Sequence, residues 1–182
     1  MITKTKTFIT EGIVIKRTNT GEADRVITFV SRDFGKLVGI AKGIRNLKSS
    51  RRADLEPGNL VKIFGVKTKS MPLITQTMLI ENVHQDIRTS LSGIRSLSQI
   101  LEVFDRLFAE DDQDEEAYLL ALKIREALVL NRAHQKIQPL LSELIERMGY
   151  QSFEDVPHQS ILDYVAEITE KEMKSFEYLR IK

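Results

Sequence analysis

Lysine and arginine side chains in the first third of the chain are the residues best placed to do chemistry. Cations spaced along a surface bind nucleic-acid phosphates, because binding releases the counterions that the phosphates hold. Here they stand at the ends of short apolar runs and in the long connection that follows, and arginine can also stack on bases. The pattern is typical of a nucleic-acid-binding surface or of a solvated basic sheet, and its residues are Lys16, Arg17, Arg25, Arg32, Lys36, Lys42, Arg45, Lys48, Arg51 and Arg52.

Aromatic residues bear on how such a surface would bind. Single-stranded nucleic acids usually stack on exposed aromatic side chains. In this chain Phe8, Phe29, Phe34 and Phe64 all lie in apolar runs, so we expect them in the core. We therefore predict binding through phosphates, with weak sequence preference and a strong dependence on salt.

Patterns for catalysis or metal binding are missing from the sequence. The 182 residues include no Cys, which excludes disulfides, thiolate nucleophiles and cysteine-bound metals. Glycine-rich phosphate loops and serine-nucleophile motifs are also missing. Glu22 and Asp24 are expected to accept hydrogen bonds in a turn or to pair with Arg25, and the acidic run Asp111–Glu116 is expected to stay solvated ahead of a helix. We predict no enzymatic activity, no metal and no other cofactor.

The net charge of +1 conceals a division between two halves. Residues 1–85 carry 15 Lys and Arg against 7 Asp and Glu, whereas residues 86–182 carry 12 against 19. Such halves have different partners, or bind each other. There is no apolar run of membrane-spanning length and no signal-peptide pattern at Met1–Phe8, so we expect a cytoplasmic, nucleoid-associated protein with no membrane partner.

Five strands are predicted in the basic half, separated by turns that contain Gly, Asn or Pro. A basic connection at Gly43–Gly58 follows the third strand and carries a helical turn near Ala53–Glu56. Five short strands with a long connection between the third and fourth match the OB-fold, a small barrel that binds oligonucleotides. The predicted strands are Phe8–Arg17, Asp24–Arg32, Lys36–Lys42, Asn59–Thr68 and Leu73–His84.

Apolar residues change to helical spacing from about Asp86. We predict one helix through Phe108, others at Ala117–Leu130, Ile137–Met148 and Ile161–Ile168, and a last short helix that begins with a Thr169–Glu172 capping box. Gly149 is placed to end the third of these helices. The predicted fold class is α+β, with an OB-fold barrel in residues 1–84 and an α-helical domain in residues 85–182.

An ordered set of short motifs resembles a known family. G-I-V-I-K-R, G-E-A-D-R, G-K-L-V-G-I-A-K-G-I-R and L-E-P-G-N-L-V together resemble the N-terminal domain of the RecO family, bacterial mediators of recombination in DNA repair. The resemblance covers most of Glu11–Glu81 well and the helices more loosely. Many members carry a four-Cys zinc module where this chain has the short stretch Gln151–Gln159, so the chain resembles a short form without the zinc-binding cysteines.

This resemblance implies a protein that binds single- and double-stranded DNA and anneals complementary strands. With its partner RecR it would help RecA displace single-strand-binding protein, whose acidic, apolar C-terminal tail the family contacts. The alternative is a non-enzymatic protein-interaction adaptor whose basic OB domain binds acidic protein tails. A nuclease would need carboxylates grouped on the DNA-facing sheet, and those of the first half are scattered.

Overall fold

Apolar runs rich in β-branched residues form the five predicted strands, and together these strands close a barrel. The structure is a computed structural model that describes residues 6–45, 51–129, 134–155 and 160–175. The strands pair in the order β1-β2-β3-β5-β4, and β4 returns to β1. Their bounds are β1 Thr7–Thr20, β2 Asp24–Ser31, β3 Gly35–Ala41, β4 Leu60–Val66 and β5 Leu73–Glu81, with the short helix α1, Arg51–Asp54, between β3 and β4.

This strand order confirms the predicted α+β fold with an N-terminal OB-type barrel. All neighbouring strands are antiparallel except β3 and β5, which meet in parallel at Ile40 and Leu73. The Ile40 N–H donates to the Pro72 carbonyl at 2.8 Å and closes the barrel there. Gly39 permits this approach, because a Cβ atom at that position would lie 2.7 Å from the Cδ1 atom of Ile74.

A bulge in β1 decides which of its side chains face the barrel interior. Before the bulge Val14 lies opposite Phe29, and both belong to the core. The register then shifts between Val14 and Lys16, so that Arg17 lies opposite Ile27. Directly opposed residues in a sheet point to the same face, so the extra residue brings Arg17 onto the face of the core residue Ile27.

Apolar side chains from all five strands fill the barrel. Ile27, Phe29, Ile63 and Ile74 are at most 1% exposed, and burial of each such side chain contributes roughly 1.5–3 kcal/mol. Leu55, which follows α1, is also fully buried and joins this core.

Two of the four aromatic residues predicted to be core differ from that prediction. Phe8 and Phe29 are buried, while Phe34 is half-buried and packs against the core edge-on to Phe8. Phe64 is half-buried on the outer face of β4, opposite the exposed Ile9. The reason is the strand alternation, since the buried residues of β4 are Val61, Ile63 and Gly65.

The chain divides into two units, and Val83 begins the second. The first unit is Met1–Asn82 with Glu110–Gln113, and the second is Val83–Ala109 with Asp114–Lys182. Helices of the second unit are α2 Gln85–Thr89, α3 Leu91–Leu107, α4 Glu115–Val129, α5 His134–Arg147 and α6 Ile161–Ile168, with a short 3₁₀ helix at Phe153–Asp155.

The first predicted helix is two helices, because Ser90 interrupts it. Ser90 has extended backbone angles, and its Oγ accepts a hydrogen bond from the Gly93 N–H at 3.1 Å, which makes it the N-cap of α3. The predicted end of α5 is confirmed. Gly149 has φ 85°, and the N–H of Tyr150 reaches back to the Ile145 carbonyl.

The predicted capping box at Thr169 is wrong. The Thr169 hydroxyl donates to the Val165 carbonyl of α6 at 2.6 Å, so it ends α6 instead of starting another helix. The N–H groups of Lys174 and Ser175 are satisfied by the carboxylate of Glu102 in α3, at 2.8 and 2.7 Å. Burial raises the pKa of Glu102, but these N–H bonds and Arg106 outweigh it and hold the pKa below its usual range.

Within the described residues, none of the helices combines the length and the apolar character that crossing a bilayer requires.

Candidate nucleic-acid interface

Four arginines and one glutamate gather at the end of the barrel where the β1–β2 turn lies. We call Arg17, Arg25, Arg45, Arg52 and Glu56 the mouth cluster. Arg17 and Arg25 share the interior-facing side of β1 and β2 with Ile27, and Arg25 lies opposite the core residue Ala41 of β3.

Hydrogen bonds hold three of these side chains in place. The Nε of Arg25 donates to the Oδ1 of Asn19 at 2.9 Å, and the two residues are directly opposed across the β1–β2 pair. Arg17 donates through Nη1 to the carboxylate of Glu56 and forms an ion pair with it. Arg45 donates through Nη1 to the Gly21 carbonyl at 3.2 Å, so it lies against the turn.

Glu56 and Arg52 are positioned by the anchoring of α1. The Nδ2 of Asn59 donates to the carbonyls of Ala53 and Asp54 at 3.0 Å each. Thr77 of β5 donates its hydroxyl to the Asp54 carboxylate at 3.0 Å. These bonds satisfy the carbonyls at the end of the helix and fix it to the barrel.

The turn between β1 and β2 is tied to the connection after β3. Gly21 has φ 54°, a left-handed conformation that favours glycine. Asp24 accepts through Oδ1 from the Gly43 N–H at 2.8 Å, and the Arg45 N–H donates to the Ala23 carbonyl at 2.9 Å. Asp24 therefore accepts a backbone hydrogen bond, as predicted, but from a residue beyond its own turn.

The electrostatics of the mouth cluster favour an anion. Burial lowers the pKa of Arg25, and the nearby charges of Arg17, Arg52 and Arg45 lower it further, while Glu56 opposes them. The Nη1 atom of Arg25 is buried and has no hydrogen-bond partner among the described residues. A bound anion would give Arg25 the hydrogen-bond acceptor that its Nη1 lacks. It would also offset the repulsion from the neighbouring arginines.

The structure brings only part of the predicted set together. Lys42 is exposed directly after Ala41, which pairs with Arg25, so it lies beside the mouth cluster. Lys16 is exposed opposite Thr28, on the other side of the sheet from Arg17. Arg32 and Lys36 lie at the far end of β2, where seven extended residues from Arg25 span roughly 23 Å.

Two members of the predicted set fall outside this description. Lys48 lies outside the described residues, and of Arg51 only the backbone, at the start of α1, is described.

Sequence reasoning missed two residues with a part in this surface. Asn19 holds Arg25, and Glu56 holds Arg17. The Nζ of Lys67 lies 4.9 Å from the centroid of the Phe34 ring, but this pair belongs to the β2–β3 turn at the far end of β2. Glu56 belongs to the L-E-P-G motif, but nothing in that motif indicated that Glu56 pairs with Arg17. The role of Asn19 could be predicted only if the bulge in β1 were known, because the bulge places Asn19 on the same face of the sheet as Arg25.

The acidic run before α4 is also more ordered than predicted. Asp114 accepts from the Ala117 N–H at 3.0 Å and from Arg147 at 2.8 Å, and Glu116 also pairs with Arg147. Its remaining acids Asp111, Asp112 and Glu115 are exposed, and no group of three or more potential metal ligands occurs among the described residues.

Comparison with known proteins identifies similar chains. Residues 5–83 match the family model described as "Recombination protein O N terminal". The chain is 30% identical over 145 residues to the DNA repair protein RecO of Acetivibrio thermocellus, which covers 78% of this chain and 57% of that protein.

Two further relatives carry the same description. The DNA repair protein RecO of Bifidobacterium adolescentis is 32% identical over 126 residues, which covers 69% of this chain and 51% of the relative. The DNA repair protein RecO of Chloroherpeton thalassium is 36% identical over 105 residues, which covers 57% of this chain and 40% of the relative. The chain spans about half the length of the curated relatives it matches.

Proposed function

Because this chain belongs to the RecO family, we propose that it acts in DNA repair and recombination by binding DNA through its barrel. The proposed ligands are single- and double-stranded DNA. The proposed activity is the annealing of complementary strands, which assists the loading of the recombinase without catalysis and without a cofactor.

The mouth cluster is the observation that supports this proposal most directly. Four guanidinium groups and one carboxylate are near enough to act on one another's charge at the end of an OB-type barrel. OB-folds bind oligonucleotides on the strand β2–β3 face and neighbouring loops. Arginine forks match the geometry of phosphate oxygens. Lys42 would extend the basic surface at the end of β3.

Annealing follows from the kind of contact that this surface offers. Phe8 and Phe29 are buried, and the half-buried Phe34 and Phe64 lie in the β2–β3 turn and on the outer face of β4, outside the mouth cluster. A protein that holds strands by their phosphates lowers the repulsion between two backbones and leaves the pairing edges of the bases free. Two bound strands could then find each other without first being released.

The protein partners rest on the family alone. We propose RecR, RecA and the acidic, apolar tail of single-strand-binding protein as partners. We also propose that the protein is cytoplasmic and associated with the nucleoid. Because the chain spans about half of its relatives, each partner needs its own binding test.

The test of DNA binding is fluorescence anisotropy with a labelled single-stranded oligonucleotide at several salt concentrations. We compare the wild type with Arg45→Gln plus Arg52→Gln. Each lost phosphate contact should lower the slope of log affinity against log salt by about 0.7, so the double variant should bind ~tenfold more weakly with a slope lower by about 1.4.

The matched control is Lys123→Gln plus Lys171→Gln, which removes the same charge from exposed positions of the second unit. An equal loss of affinity in both double variants would contradict a specific role for the mouth cluster. Absence of DNA binding by the wild type even at low salt would favour the adaptor alternative, and acidic peptides would become the ligands to test.

A further inference from the structure

The mouth cluster carries an internal anion in addition to its four cations. If all five side chains are ionised, Arg17, Arg25, Arg45, Arg52 and Glu56 have a net charge of +3. Glu56 forms an ion pair with Arg17 and also acts on the charge of Arg25. Its carboxylate therefore interacts with two of the four arginines.

The ion pair between Arg17 and Glu56 is easily opened. Their side chains are 34% and 30% exposed, so water competes for both groups. Ion pairs in contact with solvent contribute little to stability. Glu56 can thus leave Arg17 for water when another anion takes its place.

Arg25 is the group that gains from the exchange. Its Nε is held by Asn19, which fixes the plane of the guanidinium, while its covered Nη1 has no acceptor among the described residues. An anion reaches Nη1 only if a neighbouring side chain moves. Glu56 is a negative group that acts on the charge of Arg25, so its departure removes a competitor for an incoming anion.

We propose that the mouth cluster is a discrete phosphate subsite, in which one phosphodiester group of DNA replaces the carboxylate of Glu56 on Arg17 and satisfies Arg25. This inference rests on the proposed DNA-binding function and adds a regulating residue to it. A phosphodiester has two non-bridging oxygens and one negative charge, so it matches the carboxylate in charge and can bridge two guanidiniums. Glu56 is then a built-in competitor that weakens DNA binding.

The central experiment compares Glu56→Gln with Glu11→Gln. Both changes remove one negative charge, but Glu11 lies on the outer face of β1 opposite Lys62, away from the mouth cluster. By anisotropy, Glu56→Gln should bind single-stranded DNA about three- to tenfold more tightly than the wild type, because no carboxylate has to be displaced. Glu11→Gln should change the affinity less than about twofold, as expected for a distant charge screened by salt.

The salt dependence of DNA binding tests the role of Glu56 in a second, independent way. In the wild type the charge of Arg17 is neutralised by Glu56, so Arg17 holds few solution anions that DNA could displace. In Glu56→Gln the same arginine holds solution anions, and the slope of log affinity against log salt should steepen by up to about 0.7. When Glu56→Gln is added to Arg17→Gln, it should raise the affinity for DNA much less than it does in the wild type. The reason is that the double variant lacks the arginine on which phosphate replaces Glu56.

Binding of pyrophosphate tests the subsite without DNA. In the full chain labelled with nitrogen-15, pyrophosphate should shift the arginine Nε resonances of Arg17 and Arg25, at lower concentration in Glu56→Gln than in the wild type. Thermal unfolding of each variant verifies that it is folded before binding is compared.

The outcomes separate the two proposals. Equal effects of Glu56→Gln and Glu11→Gln, or weaker DNA binding by Glu56→Gln, would overturn the role of Glu56. If the wild type bound no DNA at low salt, the proposed function would fail, and the pyrophosphate titration would still decide the subsite. No shift at Arg17 or Arg25 in that titration would overturn it.

Discussion

At the scale of single residues, the uncharged Asn19 has a defined place in the mouth cluster. Its Oδ1 accepts the Nε–H of Arg25 at 2.9 Å and so orients a guanidinium whose Nη1 lacks an acceptor among the described residues. An arginine held in one orientation loses less side-chain entropy when it binds a phosphate. Asn19 is therefore a positioning residue, and its contribution should be separable from that of charge.

We expect Asn19→Ala to weaken the binding of single-stranded DNA about three- to tenfold, the value of one lost hydrogen bond. The slope against log salt should stay unchanged, because no charge is removed. Anisotropy across a salt series measures both quantities. Thr18→Ala is the matched control, since Thr18 is the exposed neighbour on the opposite face of β1. A changed slope in Asn19→Ala, or an equal loss in Thr18→Ala, would contradict the positioning role.

At the scale of elements, Asp114 joins the start of α4 to the end of α5. Its carboxylate accepts the Ala117 N–H at 3.0 Å, which caps α4, and two hydrogen bonds from Arg147 at 2.8 and 3.1 Å. The hydrogen bonds from Arg147 lower the pKa of Asp114, burial opposes them, and the Ala117 N–H adds to the lowering. The carboxylate is thus favoured in the folded chain relative to the unfolded one.

Asp114→Ala should reduce the free energy of unfolding at pH 7 by about 1 kcal/mol, the value of a helix N-cap. Since the folded pKa lies below the unfolded value of about 3.9, the contribution of the charge is complete above that pH. It is lost as the pH falls through the folded pKa, so the difference between variant and wild type should shrink below about pH 4. Urea unfolding at a series of pH values measures this difference, with the exposed Asp112→Ala as the control. A difference that stayed constant down to pH 3 would contradict the assigned cause.

The elements themselves were largely predictable from the sequence, because each has a clear local signal. Alternation and β-branched residues located all five strands, although β1 continues to Thr20, three residues past the predicted end. Gly149 marked the end of α5 correctly. Local patterns failed where a distant group decides the outcome. Thr169 looked like an N-cap, but Glu102, more than sixty residues away, satisfies the later N–H groups.

The candidate site was less predictable than the fold for the same reason. Composition identified the basic half, but the eight predicted cations whose side chains are described divide between the mouth, the outer face and the far end of β2. The bulge after Val14 brings Arg17 and Asn19 to the face of Arg25, and a one-residue shift of this kind leaves no mark in the pattern of residue types. The pairing of Glu56 with Arg17 spans 39 positions and depends on the anchoring of α1.

At the scale of the whole molecule, the unequal charge of the two halves bears on the salt dependence of the proposed DNA binding. The proposed function places the phosphate contacts on the basic half, whose 15 cations outnumber its 7 acids. If single and double strands use the same surface, they neutralise the same number of phosphates. The slope against log salt is about −0.7 per phosphate for single strands and about −0.9 for duplexes.

We therefore expect the slope for duplex DNA to be about 1.3 times that for single-stranded DNA in the wild type. Anisotropy with a duplex and with each of its separate strands, over one range of salt, gives both slopes. Arg45→Gln plus Arg52→Gln should lower both in the same proportion. A ratio far from this value, or a loss confined to one form of DNA, would mean that the two forms bind different surfaces.

The two-part pairing of β1 has a consequence for the order in which the barrel folds. The second half of β1 pairs with β2 through a short turn, so the hairpin closes a small loop. The first half must wait for β4, since Ile13 pairs with Leu60, 47 positions later, and Thr7 with Val66, 59 positions later. Closing such long loops costs more chain entropy and sets the pace of folding for barrels of this kind. We therefore expect Arg17 and Arg25 to come together in the hairpin before β4 completes the barrel that holds Glu56. In that interval the two arginines would lack the compensating carboxylate.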